Sequence, residues 1–133
     1  MDLVVDTSVL VAVLTGEQER AAILKVTQGV NLLAPASVHW EVGNAFSAML
    51  KRRRISITQV RSALQAYAKI PIRFVETDLN EAMDLADQYN LYAYDAYLLA
   101  CARTQRAELI SLDKALLAAA TMAGIASIEV PKV

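Results

Sequence analysis

A parallel α/β sheet covered by helices on both faces is the fold class this sequence predicts, and three observations predict it. Leu3-Val4-Val5, Leu32-Leu33-Ala34 and Leu109-Ile110-Ser111 lack the in–out alternation of half-exposed strands, so they read as strands buried on both faces. The longer segments between them carry apolar residues at the three- and four-residue spacing of helices. Strands separated in this way by helices pair in parallel, because each return to the sheet is a crossover.

Each element has its own local reason. Leu3-Val4-Val5 opens the chain as a strand. Thr7–Leu14 follows as a helix started by Asp6, Thr7 or Ser8 and ended near Gly16. Residues 17–28 form a second helix, stopped by Gly29. Leu32-Leu33-Ala34 is the second strand, closed by Pro35, which has no N–H to give a ladder. Ser37 caps a helix to about residue 53, with Val38, Val42, Ala45, Phe46 and Met49 as its inward stripe. Ser56 and Gln59 have the spacing of a capping box for a helix to about residue 69. Pro71 precedes a strand at Ile72–Val75. Asp78 and Glu81 repeat the box spacing before a helix that turns Ala82, Leu85 and Ala86 inward. A helix at about 94–106, the strand at Leu109-Ile110-Ser111, a helix at 113–122 and a strand at 125–130 complete the chain.

At 133 residues, without repeats or linkers, the chain is the size of one domain, 1–133. Its hydrophobic share of 56% exceeds the usual globular share of roughly 45–50%, a surplus that suits a dense core, an oligomer interface, or both. The net charge of −1 gives no global field for nucleic acid, but the charge is unevenly spread. Between Glu41 and Glu76 stand seven Lys or Arg and no acid; from Glu76 to Asp95 stand six acids and no base. Such a division fits one face for phosphates and another for something else. A single cysteine, Cys101, excludes an internal disulfide and a thiolate zinc site. No apolar run approaches the roughly 18 residues of a membrane span. Asp2 and Asp6 spoil a signal peptide, so the expected compartment is the cytoplasm.

Parallel sheets bind ligands outside the carboxyl ends of their strands, where right-handed crossovers gather the strand-to-helix turns. Asp6 ends the first strand and Asp113 follows Leu109–Leu112, so both belong to that edge. Asp95 opens a helix, and Glu41 sits one turn into its own, beside Val38, Val42 and Ala45. Taken singly, each aspartate is explained as a helix cap, worth about 1 kcal/mol, and Glu41 as a surface residue favoured by the helix dipole. Capping does not explain why such carboxylates flank apolar runs with no basic partner nearby. Several uncompensated carboxylates in one cleft repel, and a divalent cation supplies the missing charge. All-oxygen ligands select Mg2+ or Mn2+ over zinc. A cation so held, with water positions open, serves phosphodiester hydrolysis without a protein nucleophile or histidine. His39 is the sole histidine.

"DLVVDTSVLVAVL", "SVHWEVGNAFSAML", "YAYDAYLLACA" and "LISLDKALLAAA", in that order, resemble the PIN domain family, and within it the VapC-type ribonuclease toxins of toxin–antitoxin pairs. The resemblance covers essentially the whole chain. It implies a PIN-like three-layer fold, with a parallel sheet of four or five strands between helices, and an Mg2+- or Mn2+-dependent acidic site. Carried over residue by residue, Asp6 and Asp95 are the main metal ligands and Asp113 a further one. Glu41 is the acid on the third helix, and Ser8, with Thr7 beside it, bonds Asp6 or metal-bound water. The implied reaction cuts RNA to a 5′-phosphate and a 3′-hydroxyl. The implied partners are a cognate antitoxin lying across the active-site groove and a second copy of the chain, within a homodimer or larger assembly. The sequence departs from the pattern at Arg54 in "KRRRIS", where a glycine is usual.

Other residues divide between structure and function. Lys51, Arg52, Arg53 and Arg54 suit RNA phosphates, and equally suit a solvated helix C-terminus. Tyr92, Tyr94 and Tyr97 read first as core or interface, and second as platforms for unpaired bases. Trp40 and Phe46 read as structural or as lining a groove for a partner helix. His39 reads as incidental, Asp78, Asp84 and Asp87 as a solvated face and its cap, and Lys114 as exposed. The main alternative to a nuclease is a catalytically silent PIN-like module that binds protein or RNA; loss of an acidic position would favour it, and none is lost. A phosphatase or phospho-acceptor needs a second carboxylate beside Asp6, which "DTSV" does not supply. Metal-assisted attack works on DNA as well, and RNA is favoured by the resemblance.

Overall fold

The computed structural model describes residues 1–131. Twelve elements follow one another as β1 (Asp2–Val5), α1 (Thr7–Leu14), α2 (Arg20–Val26), β2 (Asn31–Pro35), α3 (Ser37–Lys51), α4 (Ile57–Ala68), β3 (Ile72–Val75), α5 (Leu79–Tyr89), α6 (Ala93–Gln105), β4 (Glu108–Ile110), α7 (Lys114–Met122) and β5 (Ser127–Ile128). The five strands form one sheet in the order β3-β2-β1-β4-β5, and every pairing is parallel.

That order contains a reversal. The chain steps outward from β1 through β2 to β3, then crosses back to β4 and on to β5. Right-handed crossovers put the helices of these two marches on opposite faces. Accordingly α1 packs against α2, α3 and α4, while α5 packs against α6. The march reverses between β1 and β4, and there the strand ends open a crevice. The first turns of α1 and α7 flank it.

The core is continuous from sheet to helices. Leu3, Val4, Leu33, Leu109 and Ile110 supply it from the strands, and Val9, Val38, Phe46, Leu85, Leu99 and Leu116 from the helices. Each such side chain contributes about 1.5–3 kcal/mol on burial, and together they fix the sheet on which the crevice stands. Ala45 and Met49 of the α3 stripe are only half-buried.

Several boundaries differ from expectation, each for a local reason. The second helix starts at Arg20, because Gly16 turns left-handed (φ 68°) and residues 17–19 form a turn closed by Arg20 N–H to Glu17 O. The last strand shrinks to Ser127–Ile128, since β4 offers it only two pairs and the Ile125 N–H closes the end of α7 on Ala120 O. Ser37 does not cap α3: Ala36 holds the N-cap position with helical angles, and Ser37 Oγ has no partner. The Ser56–Gln59 capping box forms in full. The one expected at Asp78–Glu81 does not. Asp78 accepts from Asn80 N–H, and Glu81 turns to Thr104 (3.2 Å) and Arg103 (3.9 Å). At the end of α3 the left-handed residue is Arg53 (φ 55°), one before the position where a glycine is usual.

Candidate functional site

Asp6 is the first residue beyond β1 and stands at the N-cap of α1, yet its side chain caps nothing. Two serines claim it. Ser8 Oγ donates to Asp6 Oδ2 at 2.8 Å and Ser111 Oγ donates to the same oxygen at 2.7 Å. Each hydroxyl in turn accepts a backbone N–H of the β4–α7 turn: Leu112 N–H on Ser8 Oγ (3.0 Å) and Asp113 N–H on Ser111 Oγ (2.9 Å). A hydroxyl has one proton, so with that proton committed to Asp6 the 3.5 Å approach of the two serine oxygens is a contact and not a bond. The backbone repeats the link, Asp6 N–H donating to Ile110 O at 3.1 Å. Asp6 is 7% exposed and Ser111 2%.

The other acids arrive from three further elements. Glu41 comes from the second turn of α3, and its pKa is pushed up from 4.5 to about 7, by burial first and then by the charges of Asp6 and Asp95. Glu41 Oε2 is buried without a hydrogen-bond partner. Asp95 comes from the first turn of α6, and burial, then Asp113 and Asp6, raise its carboxyl above the usual range. Asp113 caps α7, Oδ1 accepting from Ala115 N–H (2.9 Å) and Leu116 N–H (3.2 Å). Four segments of the chain thus bring acids within each other's fields at one edge of the sheet. The one ion pair among the described residues, Arg103–Glu81, lies between α5 and α6 and neutralises none of them.

The donor set fits a hard divalent cation: oxygen only, mutually repelling, with one oxygen orphaned in the interior. Among the described residues no three acids or other ligating groups stand close enough to cage an ion as they lie. Like charges without a cation do not close on one another, so the fit is one of chemistry and neighbourhood.

Lys51, Arg52, Arg53 and Arg54 are exposed, and Lys51 stands ten residues, about 15 Å, along α3 from Glu41. Tyr92 and Tyr94 are exposed, whereas Tyr97 is half-buried and packs against the core. Phe46 is buried as expected, but Trp40 is 72% exposed. His39 has a role that its isolation in the sequence concealed: Nδ1 lies 3.0 Å from Tyr67 Oη, and the ring contacts Trp40, Tyr67 and Phe74. Lys114, Asp84 and Asp87 are exposed. Ser111 joins the site without a charge or motif to announce it; a hydroxyl ending an otherwise apolar strand, two residues before Asp113, is the signal that marks it. A cavity of about 550 Å3, lined by none of the four acids, lies between the ends of α1 and α3 and the body of α4.

The PIN domain family model matches residues 3–121. The fold is similar to a protein from Pyrobaculum aerophilum (TM-score 0.70, 22% identity, covering 90% of this chain and 79% of that one). It is similar as well to the sarcin-ricin loop cleaving toxin VapC20 of Mycobacterium tuberculosis (TM-score 0.67, 14% identity, 96% and 98% covered). A third similar structure is VapBC2 from Rickettsia felis, bound to a DNA fragment from the promoter (TM-score 0.60, 13% identity, 85% and 89% covered). At these identities the likeness is one of fold. No curated protein sequence matches the chain.

Proposed function

The chain belongs to the PIN domain family, and from that premise we propose that it is a divalent-metal-dependent endoribonuclease, the toxin of a type II toxin–antitoxin pair. One observation carries the reading: Asp6, Glu41, Asp95 and Asp113 act on one another electrostatically at the reversal point of the sheet, and among the described residues none of them is in an ion pair. Asp6, Asp95 and Asp113 would hold Mg2+ or Mn2+. The cation supplies charge neutralisation at the phosphoryl oxygens and makes water a better nucleophile near neutral pH. Asp6 is held through Oδ2, which leaves Oδ1 as the oxygen that would bind the cation. Glu41, pushed up to about 7 in the cation-free chain, would give up its proton as a cation binds and so be free to accept one from the attacking water. Lys51, Arg52, Arg53 and Arg54 would grip phosphates farther along the RNA, where neutralising them releases counterions.

The fold's resemblance to VapC structures supports a cognate antitoxin as partner. The cavity edged by Leu14, Met49, Ile55 and Arg54 offers an antitoxin segment apolar contacts beside a cation. Exposed Trp40, Phe74 and Leu79 support a homodimer as the working unit. No helix among the described residues is long and apolar enough to cross a membrane, and we place the single domain in the cytoplasm with its RNA.

The test is cleavage of RNA by the purified chain. Activity is expected with Mn2+ or Mg2+, to vanish in EDTA, and to be lost in D6N and D95N while circular dichroism remains that of the wild type. Full activity in EDTA, or in either variant, refutes the reading.

A further inference from the structure

We propose that Ser111 is a positioning residue for the carboxylate site, setting Asp6 and Asp113 at once from the end of β4, the strand paired with β1. Its single oxygen touches both acids' segments: it donates to Asp6 Oδ2 (2.7 Å) and accepts the Asp113 N–H (2.9 Å). At 2% exposure the hydroxyl is withdrawn from water, so neither bond has a solvent substitute. The amide fixes the direction of the proton. An oxygen that receives the Asp113 N–H turns its own hydrogen to Asp6, and Ser8 does the same with the Leu112 N–H.

Asp6 therefore has one oxygen engaged twice, while no hydrogen bond among the described residues reaches Oδ1. Such a carboxylate cannot rotate without breaking both bonds, and Oδ1 is the oxygen left for a cation. Ser8 alone does not achieve this, because it lies two residues from Asp6 and moves with the same turn. Ser111 is 105 residues away in sequence, and it makes the only side-chain hydrogen bond to Asp6 from outside that turn among the described residues. Removing a group that orients a metal ligand in this manner typically weakens metal binding about 10–100-fold.

This role rests on the site's reading as a cation-holding nuclease centre, and the experiment separates the two. Mn2+ is titrated calorimetrically into the purified full-length chain, as wild type and as S111A, S111C and S111T, with a thermal melt of each. S111A and S111C are expected to bind Mn2+ about 10–100-fold more weakly while melting cooperatively, and S111T to bind as the wild type. Were S111A not to fold, S111C, which keeps the shape and only a weak donor, decides. Wild-type affinity in S111A and S111C overturns the role and leaves the proposed function standing. Equal loss in S111T overturns it too, because packing and not the hydroxyl would then be what the site needs. A wild type that binds no Mn2+ overturns the proposed function and this role together.

Discussion

At the scale of single residues, the site is a contest between burial and charge. Glu41 is held near neutrality because water is excluded and two other acids face it. A cation reverses the charge part of that shift, so binding Mn2+ lowers the Glu41 pKa and expels a proton. Proton uptake by a weakly buffered solution at about pH 7 measures it: Mn2+ is expected to release protons from the wild type and markedly fewer from E41Q. Equal release from both would place the titrating proton elsewhere. The three aspartates were legible in the sequence because each stands at the start or end of an element, where an uncompensated charge is conspicuous, and Glu41 because it adjoins the apolar stripe of α3. Ser111 was not, since a serine after an apolar strand carries no charge and its partner lies 105 residues away. His39 escaped for a similar reason: its contacts with Tyr67 and Phe74 are made across elements that only the fold brings together.

At the scale of elements, hydrophobic pattern located every helix and strand, and local chemistry misplaced some of their ends. Ser56 and Ser37 look alike as caps in the sequence but differ in the structure. Ser56 exchanges hydrogen bonds with Gln59 across the first turn of α4, whereas Ser37 has slipped inside α3 and its Oγ bonds nothing. S56A is therefore expected to destabilise the chain by about 1 kcal/mol, and S37A to change stability by no more than about 0.5 kcal/mol. Urea unfolding of both reads the contrast, and equal losses would contradict it. The Glu81 box failed because α5 and α6 pack together, which gives that carboxylate Thr104 and Arg103 as better partners than its own backbone. Helix ends are decided by such tertiary offers, which one-dimensional spacing does not contain.

At the scale of the whole molecule, gathering acids costs stability in a manner that pH exposes. Glu41 and Asp95 both have carboxyl groups raised by the fold, so the folded chain holds these protons more firmly than the unfolded one. For Glu41 the stabilising effect is complete below the unfolded value near 4.5 and is lost as pH rises through about 7, and Asp95 acts in the same direction. In EDTA the melting temperature is expected to fall across that interval, less steeply in E41Q, and saturating Mn2+ is expected to raise it by mass action. A wild-type profile that is flat in EDTA would show that the acids do not strain the fold. The sheet order explains why the strain is tolerated: the acids sit at the rim of a core that Phe46, Leu99 and Leu109 seal beneath them. The reversal of that order has a further result during synthesis. β1 is made first, but its neighbour β4 and the serine that braces Asp6 emerge only after residue 107. Any chemistry that needs the braced Asp6 therefore waits until β4 and the turn after it have been made.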